Sequence, residues 1–178
     1  MRITGGTLSG RKVLVPQGSS EIRPSMDRMR ESIFASLGDL SGCSFLDIFS
    51  GSGVIALEAA SRGASFIEAV EYDKLKKSIL LENVSISPVR INCRFMPAEL
   101  YVKRAKTSFD IIFMDPPFPY QFKWQLTGSI AASCLARAGT KILIHRPRQD
   151  YQKDEIPNLE KTGSREYGRS VVDFFRRI

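Results

Sequence analysis

The sequence predicts an α/β fold: a mostly parallel sheet of seven strands, covered by helices and closed by a C-terminal antiparallel hairpin. Three observations predict it. Short apolar runs rich in β-branched and aromatic residues alternate with helix-length stretches from Phe45 to Ile144. Turns bearing glycine or acid follow these runs at Ser50-Gly51-Ser52-Gly53, Glu71-Tyr72-Asp73 and Asp115-Pro116-Pro117-Phe118, the place where open α/β sheets hold ligands. Two β-prone runs late in the chain flank Gly168-Arg169, as in a hairpin.

In chain order, residues 2–15 hold two short β-prone runs around a Gly/Ser-rich turn. They predict an N-terminal β-hairpin, with Pro16 to Ser20 as a loop. The expected division is one domain over 1–178, with 1–20 as a hairpin extension and 21–178 as the core. Arg23-Pro24-Ser25 opens a helix with Ser25 as its N-cap. Met26, Met29, Ile33, Phe34 and Leu37 make one apolar stripe, read as core packing, and Gly38 ends the helix. Next come a strand at Phe45–Phe49, a helix at Val54–Arg62 stopped by Gly63, and a strand at Phe66–Val70. A helix from Lys74 to about Asn83, a strand at Arg90–Phe95 and a helix at Ala98–Lys106 continue the alternation. Phe109–Met114 reads as a buried parallel strand, Phe122–Ala136 as a helix and Thr140–Ile144 as the fifth strand. Tyr151–Asn158 is irregular, and Glu160–Tyr167 with Ser170–Arg176 forms the closing hairpin. Such alternation implies right-handed crossovers.

The 178 residues suit one domain with a full core. At 43% hydrophobic and 25% charged residues the composition is that of a soluble globular chain. No apolar run is long enough to cross a membrane, and no basic-then-apolar leader is present. Cys43, Cys93 and Cys134 lie far apart with no CxxC pair, so neither a disulfide framework nor a zinc site is indicated and a cytoplasmic location is expected. His145 is the only histidine, which argues against a metal centre. Net charge is +7 and the pI about 9.5, which suits a nucleic-acid partner. The first 30 residues carry six basic residues against two acidic ones. Arg2, Arg11, Lys12, Arg23, Arg28 and Arg30 are therefore candidates for an RNA-facing patch.

Asp115-Pro116-Pro117-Phe118 carries the strongest chemical signal. Two consecutive prolines fix φ and remove two backbone donors, so the turn is stiff and its carbonyls are expected to point outward unpaired. A carboxylate, a free carbonyl and an aromatic face on one rigid turn suit a planar base with an exocyclic amino group. Of the nearby aromatics, Phe118 and Tyr120 are assigned to function, Phe122 and Trp124 to packing. Upstream, Gly51-x-Gly53-x-x-Ala56 matches a dinucleotide fingerprint, and Glu71 follows Gly51 by 20 residues as a ribose-binding acid would. Nicotinamide enzymes and methyltransferases share this pattern. Asp47, four residues before Gly51 inside the strand, favours a cationic or amino-bearing ligand over phosphates.

Phe45-Leu-Asp-Ile-Phe-Ser-Gly-Ser-Gly53, Glu71-Tyr-Asp73 and Asp115-Pro-Pro-Phe118 resemble the motifs of class I S-adenosylmethionine-dependent methyltransferases. Arg2-Ile-Thr-Gly-Gly6, Gly10-Arg11-Lys12 and Arg23-Pro-Ser-Met-Asp-Arg-Met-Arg-Glu31 resemble the bacterial RsmD family, which methylates the exocyclic amino group of a guanine in 16S ribosomal RNA. The resemblance runs from Arg2 to about Pro117 and returns at Tyr167-Gly168. It implies a Rossmann-like fold, S-adenosylmethionine as cofactor, and 16S ribosomal RNA or the small ribosomal subunit as partner; a monomer is the expectation for the chain itself. By the same resemblance Ser50, Gly51 and Gly53 line the methionine part of the cofactor, Asp47 lies close to it, and Glu71 binds the ribose hydroxyls. Tyr72 and Ala98 complete the cofactor set, and Asp115, Pro116, Pro117 and Phe118 hold the target guanine. The chain departs from the family after the third strand, where Met96-Pro97-Ala98 replaces the usual acidic residue before alanine. His145-Arg-Pro-Arg148 also matches poorly and is read for its positive charge, with His145 as a base only a minor alternative. A DNA adenine-N6 methyltransferase, a non-catalytic RNA-binding protein and a nicotinamide oxidoreductase remain alternatives.

Overall fold

The computed structural model describes residues 1–15, 24–151 and 154–178, with backbone alone at 24 and 25. The expected Pro16–Ser20 loop and Arg23 lie outside these residues. The elements are α1 (Pro24–Leu37), β1 (Ser44–Ile48), α2 (Val54–Ser61), β2 (Phe66–Glu71), α3 (Lys77–Val84), β3 (Ile91–Phe95), α4 (Ala98–Arg104), β4 (Phe109–Met114), α5 (Lys123–Ala132), β5 (Ala136–Pro147), β6 (Leu159–Tyr167) and β7 (Ser170–Arg177). A single 3-10 turn, Lys74–Lys76, precedes α3.

All seven strands join one sheet in the order β3-β2-β1-β4-β5-β7-β6. Strands β1 to β5 are parallel, and β7 pairs antiparallel with both β5 and β6. From β1 the chain winds outward through β2 and β3, then returns to the other side of β1 for β4 and β5. The reversal leaves a crevice at the carboxyl ends of β1 and β4, where helices depart to opposite faces. Strand alternation divides the core accordingly. Phe45, Ile111, Phe113, Leu143 and Val172 face α1, α2 and the N-terminal segment. Leu46, Ile48, Ile112, Met114 and Ile144 face α4 and α5. The stripe of α1 packs as expected at Met29, Ile33, Phe34 and Leu37, but the helix starts at Pro24, so Ser25 lies inside it and is not its cap.

The N-terminal segment folds back on itself as a short antiparallel hairpin, as expected. An antiparallel bridge joins Arg2 and Lys12, with Ile3 N–H donating to the Arg11 carbonyl at 3.0 Å, and Val13 N–H to the Met1 carbonyl and Gly10 N–H to the Ile3 carbonyl, both at 2.9 Å. Further backbone groups anchor the hairpin to the helices. Thr4 N–H donates to Glu58 Oε1 at 2.7 Å, Leu8 N–H to Ser61 Oγ at 2.8 Å, and Leu14 N–H to Asn83 Oδ1 at 2.9 Å. Ile3, Leu8 and Val13 enter the same core cluster as α1 and α2, so the hairpin packs into the core. At Gly6, with φ of 77°, an added Cβ would lie 1.9 Å from the Ser61 carbonyl oxygen, so only glycine allows this approach.

Strand β5 is longer at both ends than the apolar run Thr140–Ile144. Its ladder with β4 ends at Met114 opposite Ile144, but the β7 ladder continues through His145, Arg146 and Pro147. Antiparallel pairing supplies hydrogen bonds that the parallel neighbour no longer offers. Arg146, which reads from sequence as surface charge, is buried and bound to Asp173, with Nε donating to Oδ2 at 2.5 Å.

Candidate active site

Backbone hydrogen bonds stitch three strand exits together. Asp115 N–H, just past β4, donates to the Ile48 carbonyl of β1 at 3.2 Å, and Ser50 N–H donates to the Val70 carbonyl of β2 at 3.0 Å. Three carboxylates meet at this rim: Asp47 from β1, Glu71 from β2 and Asp115 from β4. The charges of Asp115 and Glu71 both act on Asp47.

Asp47 is 1% exposed. Its Oδ2 accepts from Ser50 Oγ at 2.7 Å and from Ala56 N–H, in the first turn of α2, at 3.2 Å. Oδ1 has no hydrogen-bond partner among the described residues. Burial pushes its carboxyl up to about 7, against the Ser50 hydrogen bond, and the neighbouring Asp115 charge adds to the rise. A buried carboxylate with a vacant acceptor is costly unless a cation or donor meets it. That vacancy fits a ligand carrying an ammonium or sulfonium group. Gly53, at the head of α2 with φ of 79°, has Leu80 Cδ1 2.6 Å from where a Cβ would stand, so this turn requires glycine. Asn83 holds the loop from below, donating to the Ser52 carbonyl at 2.8 Å and the Leu14 carbonyl at 3.0 Å.

Glu71 shapes the same loop. Oε2 accepts Gly51 N–H and Oε1 accepts Asp73 N–H, both at 2.8 Å. Each carboxylate oxygen keeps a second lone pair, so two acceptor sites remain for a diol. Tyr72 stands 67% exposed at the lip. Ala98, the first residue of α4, is buried and adds no polar group where Met96-Pro97 replaces the family's acid.

At the β4 exit, Pro116 is buried and Pro117 exposed. The expectation of two free carbonyls holds for one of them. The Pro117 carbonyl accepts Tyr120 N–H at 2.8 Å, whereas no described donor reaches that of Pro116. Phe118 is half exposed, with its ring 5.8 Å from the His145 ring in an edge contact. Asp115 Oδ1 lies 2.8 Å from His145 Nδ1. Sequence reasoning gave His145 almost no weight. The signal available was its place one residue past the apolar run of β5, beside the strand that delivers Asp115. Tyr120 packs between Phe49 and Phe122 and hydrogen-bonds Glu99. Phe122, expected to pack, is 60% exposed, because α5 begins only at Lys123 and leaves that ring on the turn before it. Trp124 is half buried against the core, as expected.

The proposed basic patch divides. Arg2, Arg11, Lys12 and Arg28 are exposed. Arg30 is not available to phosphates. It is 1% exposed, with Nη2 donating to Asp27 Oδ1 at 2.6 Å and to the Arg2 carbonyl at 2.8 Å, and Nε facing Glu58 Oε1 at 3.3 Å. It sits on the inner face of α1 and shares the buried charge of Glu58 of α2 with Arg62. Among the described residues no group of three or more His, Cys, Asp or Glu is placed to hold a metal, and no helix is long and apolar enough to cross a membrane.

The sequence model of a family described as Conserved hypothetical protein 95 matches residues 1–176. Ribosomal RNA small subunit methyltransferase D of Escherichia coli strain K12 is 36% identical over 121 residues, a match taking in 66% of this chain. The matched region spans 60% of that relative's length. Among solved structures, the Escherichia coli protein yhhF superposes with a TM-score of 0.88 at 26% identity, covering 99% of this chain and 97% of the other. A hypothetical protein of Thermus thermophilus superposes with a TM-score of 0.82 at 31% identity, covering 98% of each chain.

Proposed function

The chain belongs to the RsmD family, described as Conserved hypothetical protein 95, and on that premise we propose that it transfers a methyl group from S-adenosylmethionine to the exocyclic N2 amino group of a guanine in 16S ribosomal RNA. The observation that carries this reading is the convergence of Asp47, Glu71 and Asp115 at one crevice, beside a rigid Pro-Pro turn and an exposed aromatic ring. The relative named for small-subunit ribosomal RNA methylation supports the substrate class.

In this reading the unpartnered Asp47 Oδ1 meets the cationic methionine end of the cofactor, Ser50, Gly51 and Gly53 give it backbone clearance, and Glu71 takes the ribose hydroxyls. Tyr72 and Ala98 flank the adenine, which has no acidic side chain to meet at Met96-Pro97. When bound, S-adenosylmethionine supplies an electrophilic methyl group on a sulfonium. The protein's task is the nucleophile. A guanine amino nitrogen shares its lone pair with the ring and is weakly nucleophilic. Asp115 and the Pro116 carbonyl accept its two hydrogens, turning the lone pair out of conjugation and balancing the positive charge that grows on nitrogen. The methylated nitrogen sheds one proton, for which the Asp115 carboxylate is the nearest acceptor. Phe118 stacks on the base, Pro117 fixes the turn, and Arg2, Arg11, Lys12 and Arg28 meet phosphates. Arg23 belongs to the same proposed patch.

The test is incubation of the protein with labelled S-adenosylmethionine and small ribosomal subunits from cells lacking it, followed by nucleoside analysis. Labelled N2-methylguanosine is expected. Label in N6-methyladenosine, or none in RNA with tight binding of a nicotinamide dinucleotide, would overturn the reading.

A further inference from the structure

We propose that His145 is a positioning residue for Asp115: its Nδ1–H holds carboxylate Oδ1 so that Oδ2 is left to accept a hydrogen of the target amino group. The inference rests on the role given to Asp115 above and extends it to a residue that touches neither substrate nor cofactor.

The geometry is a paired rank across two strands. Met114 lies opposite Ile144 in the β4–β5 ladder, and Asp115 and His145 are each the next residue. Alternation puts both side chains on the face of Phe113 and Leu143, and Nδ1 and Oδ1 stand 2.8 Å apart. The ring is 5% exposed, its backbone is paired with Val172 of β7, and Phe118 presses on it edge to face. It therefore holds one orientation. The contact also fixes the tautomer, because a carboxylate oxygen only accepts, so Nδ1 must carry the hydrogen. Nε2 is buried with no partner among the described residues.

Two charge states remain, and they differ in effect. With a neutral imidazole, Asp115 keeps its full negative charge and a fixed orientation. With an imidazolium, the pair is neutral overall and balances growing positive charge on nitrogen less well. Burial works against the imidazolium, but the Asp115 carboxylate, by charge and hydrogen bond, outweighs it and raises the imidazole pKa. The surroundings leave Asp115 as the charge that acts on the ring. From β7, Val171 and Val172 are apolar, and Asp173 turns to the opposite face onto Arg146. From β1, Asp47 lies on the same face two strands away, where the Asp115 charge acts on it. From α1, Ser32 is tied to Arg165 and Tyr167 of β6. Methyl transfer is therefore expected to speed up as pH rises through the imidazole pKa.

Because His145 is the only histidine, proton NMR reads its ring without assignment. In the free protein, Asp115→Asn is expected to lower the imidazole pKa. Single-turnover rates, at saturating cofactor so that Asp47 titration does not enter through binding, should rise through one step above the ordinary imidazole range in the parent. His145→Asn keeps an N–H donor close to the Nδ1 position and cannot titrate. It should lose the step and retain more of the high-pH rate than His145→Leu. The Leu variant should lose about tenfold or more with its affinity for S-adenosylhomocysteine unchanged. An imidazole pKa unmoved by Asp115→Asn, or a Leu variant turning over at the parental rate, overturns the inference. A parent protein that methylates no RNA refutes the proposed function itself, whereas either of those results with an active parent refutes only the role of His145.

Discussion

Replacing Asp47 by Asn should make the cofactor-free protein more stable above neutral pH and worse at binding its cofactor. The carboxyl titrates near 3.8 in an unfolded chain and is pushed up to about 7 in the fold. Between those values the folded state binds more protons than the unfolded one. The contribution of Asp47 is therefore fully favourable below the unfolded value and is lost as pH rises through the folded value. Three units correspond to about 4 kcal/mol. Asn carries no charge to desolvate, and its oxygen can accept from Ser50 and Ala56 as Oδ2 does. Its amide N–H2 then occupies the unpartnered position, at a cost of about 2 kcal/mol. The net gain near pH 8 is about 2 kcal/mol, or roughly 4–8 °C in melting temperature for a chain of this size. Near pH 4, where both side chains are neutral, the variant should be the less stable. Thermal melts across pH, with and without S-adenosylhomocysteine, measure this. The added ligand should raise the parent's melting temperature far more than the variant's, since the lost charged contact weakens binding by about 10–100-fold. A variant that melts below the parent at pH 8, or binds the ligand equally well, would refute the argument from burial.

Three further outcomes follow from the same geometry. Asp115→Ala should cost about 10²–10⁴ in single-turnover methyl transfer with cofactor affinity preserved. Asp115→Asn should fall between Ala and parent, because the amide accepts one hydrogen bond but carries no charge, and a parental rate in the Ala variant would remove Asp115 from the chemistry. Arg11→Glu with Lys12→Glu should weaken RNA binding and flatten its salt dependence while cofactor binding is unchanged, and an unchanged salt slope would make these residues plain surface. Arg30→Leu should destabilise the fold by about 3–5 kcal/mol, by stranding part of the buried Glu58 charge, yet leave RNA affinity at permissive temperature intact; a stable variant with weak RNA binding would restore Arg30 to the interface.

The sequence alone determined the sheet and the location of the site. Phe109–Met114 appears with the expected bounds, and every other strand of the alternation lies within a few residues of its apolar run, apart from β5. Period and punctuation are local: a buried parallel strand must be apolar, and glycine or proline must stand where the chain turns. The same local logic put Asp47, Glu71 and Asp115 at strand ends, and the parallel pairing then brings them to one rim. What only the tertiary structure decided involves partners far apart in sequence. Arg30 reads as one more basic residue until α2 brings Glu58 to it. Residues 2–15 read as a hairpin, but its anchoring by Glu58, Ser61 and Asn83 shows only once α2 and α3 are in place. His145-Arg-Pro147 reads only as positive charge after the fifth strand until β7 pairs with it and buries Arg146 against Asp173. That last pairing sets His145 against Asp115, 30 residues away. A buried polar group is defined by whatever meets it, and in these cases the group that meets it comes from another strand or helix.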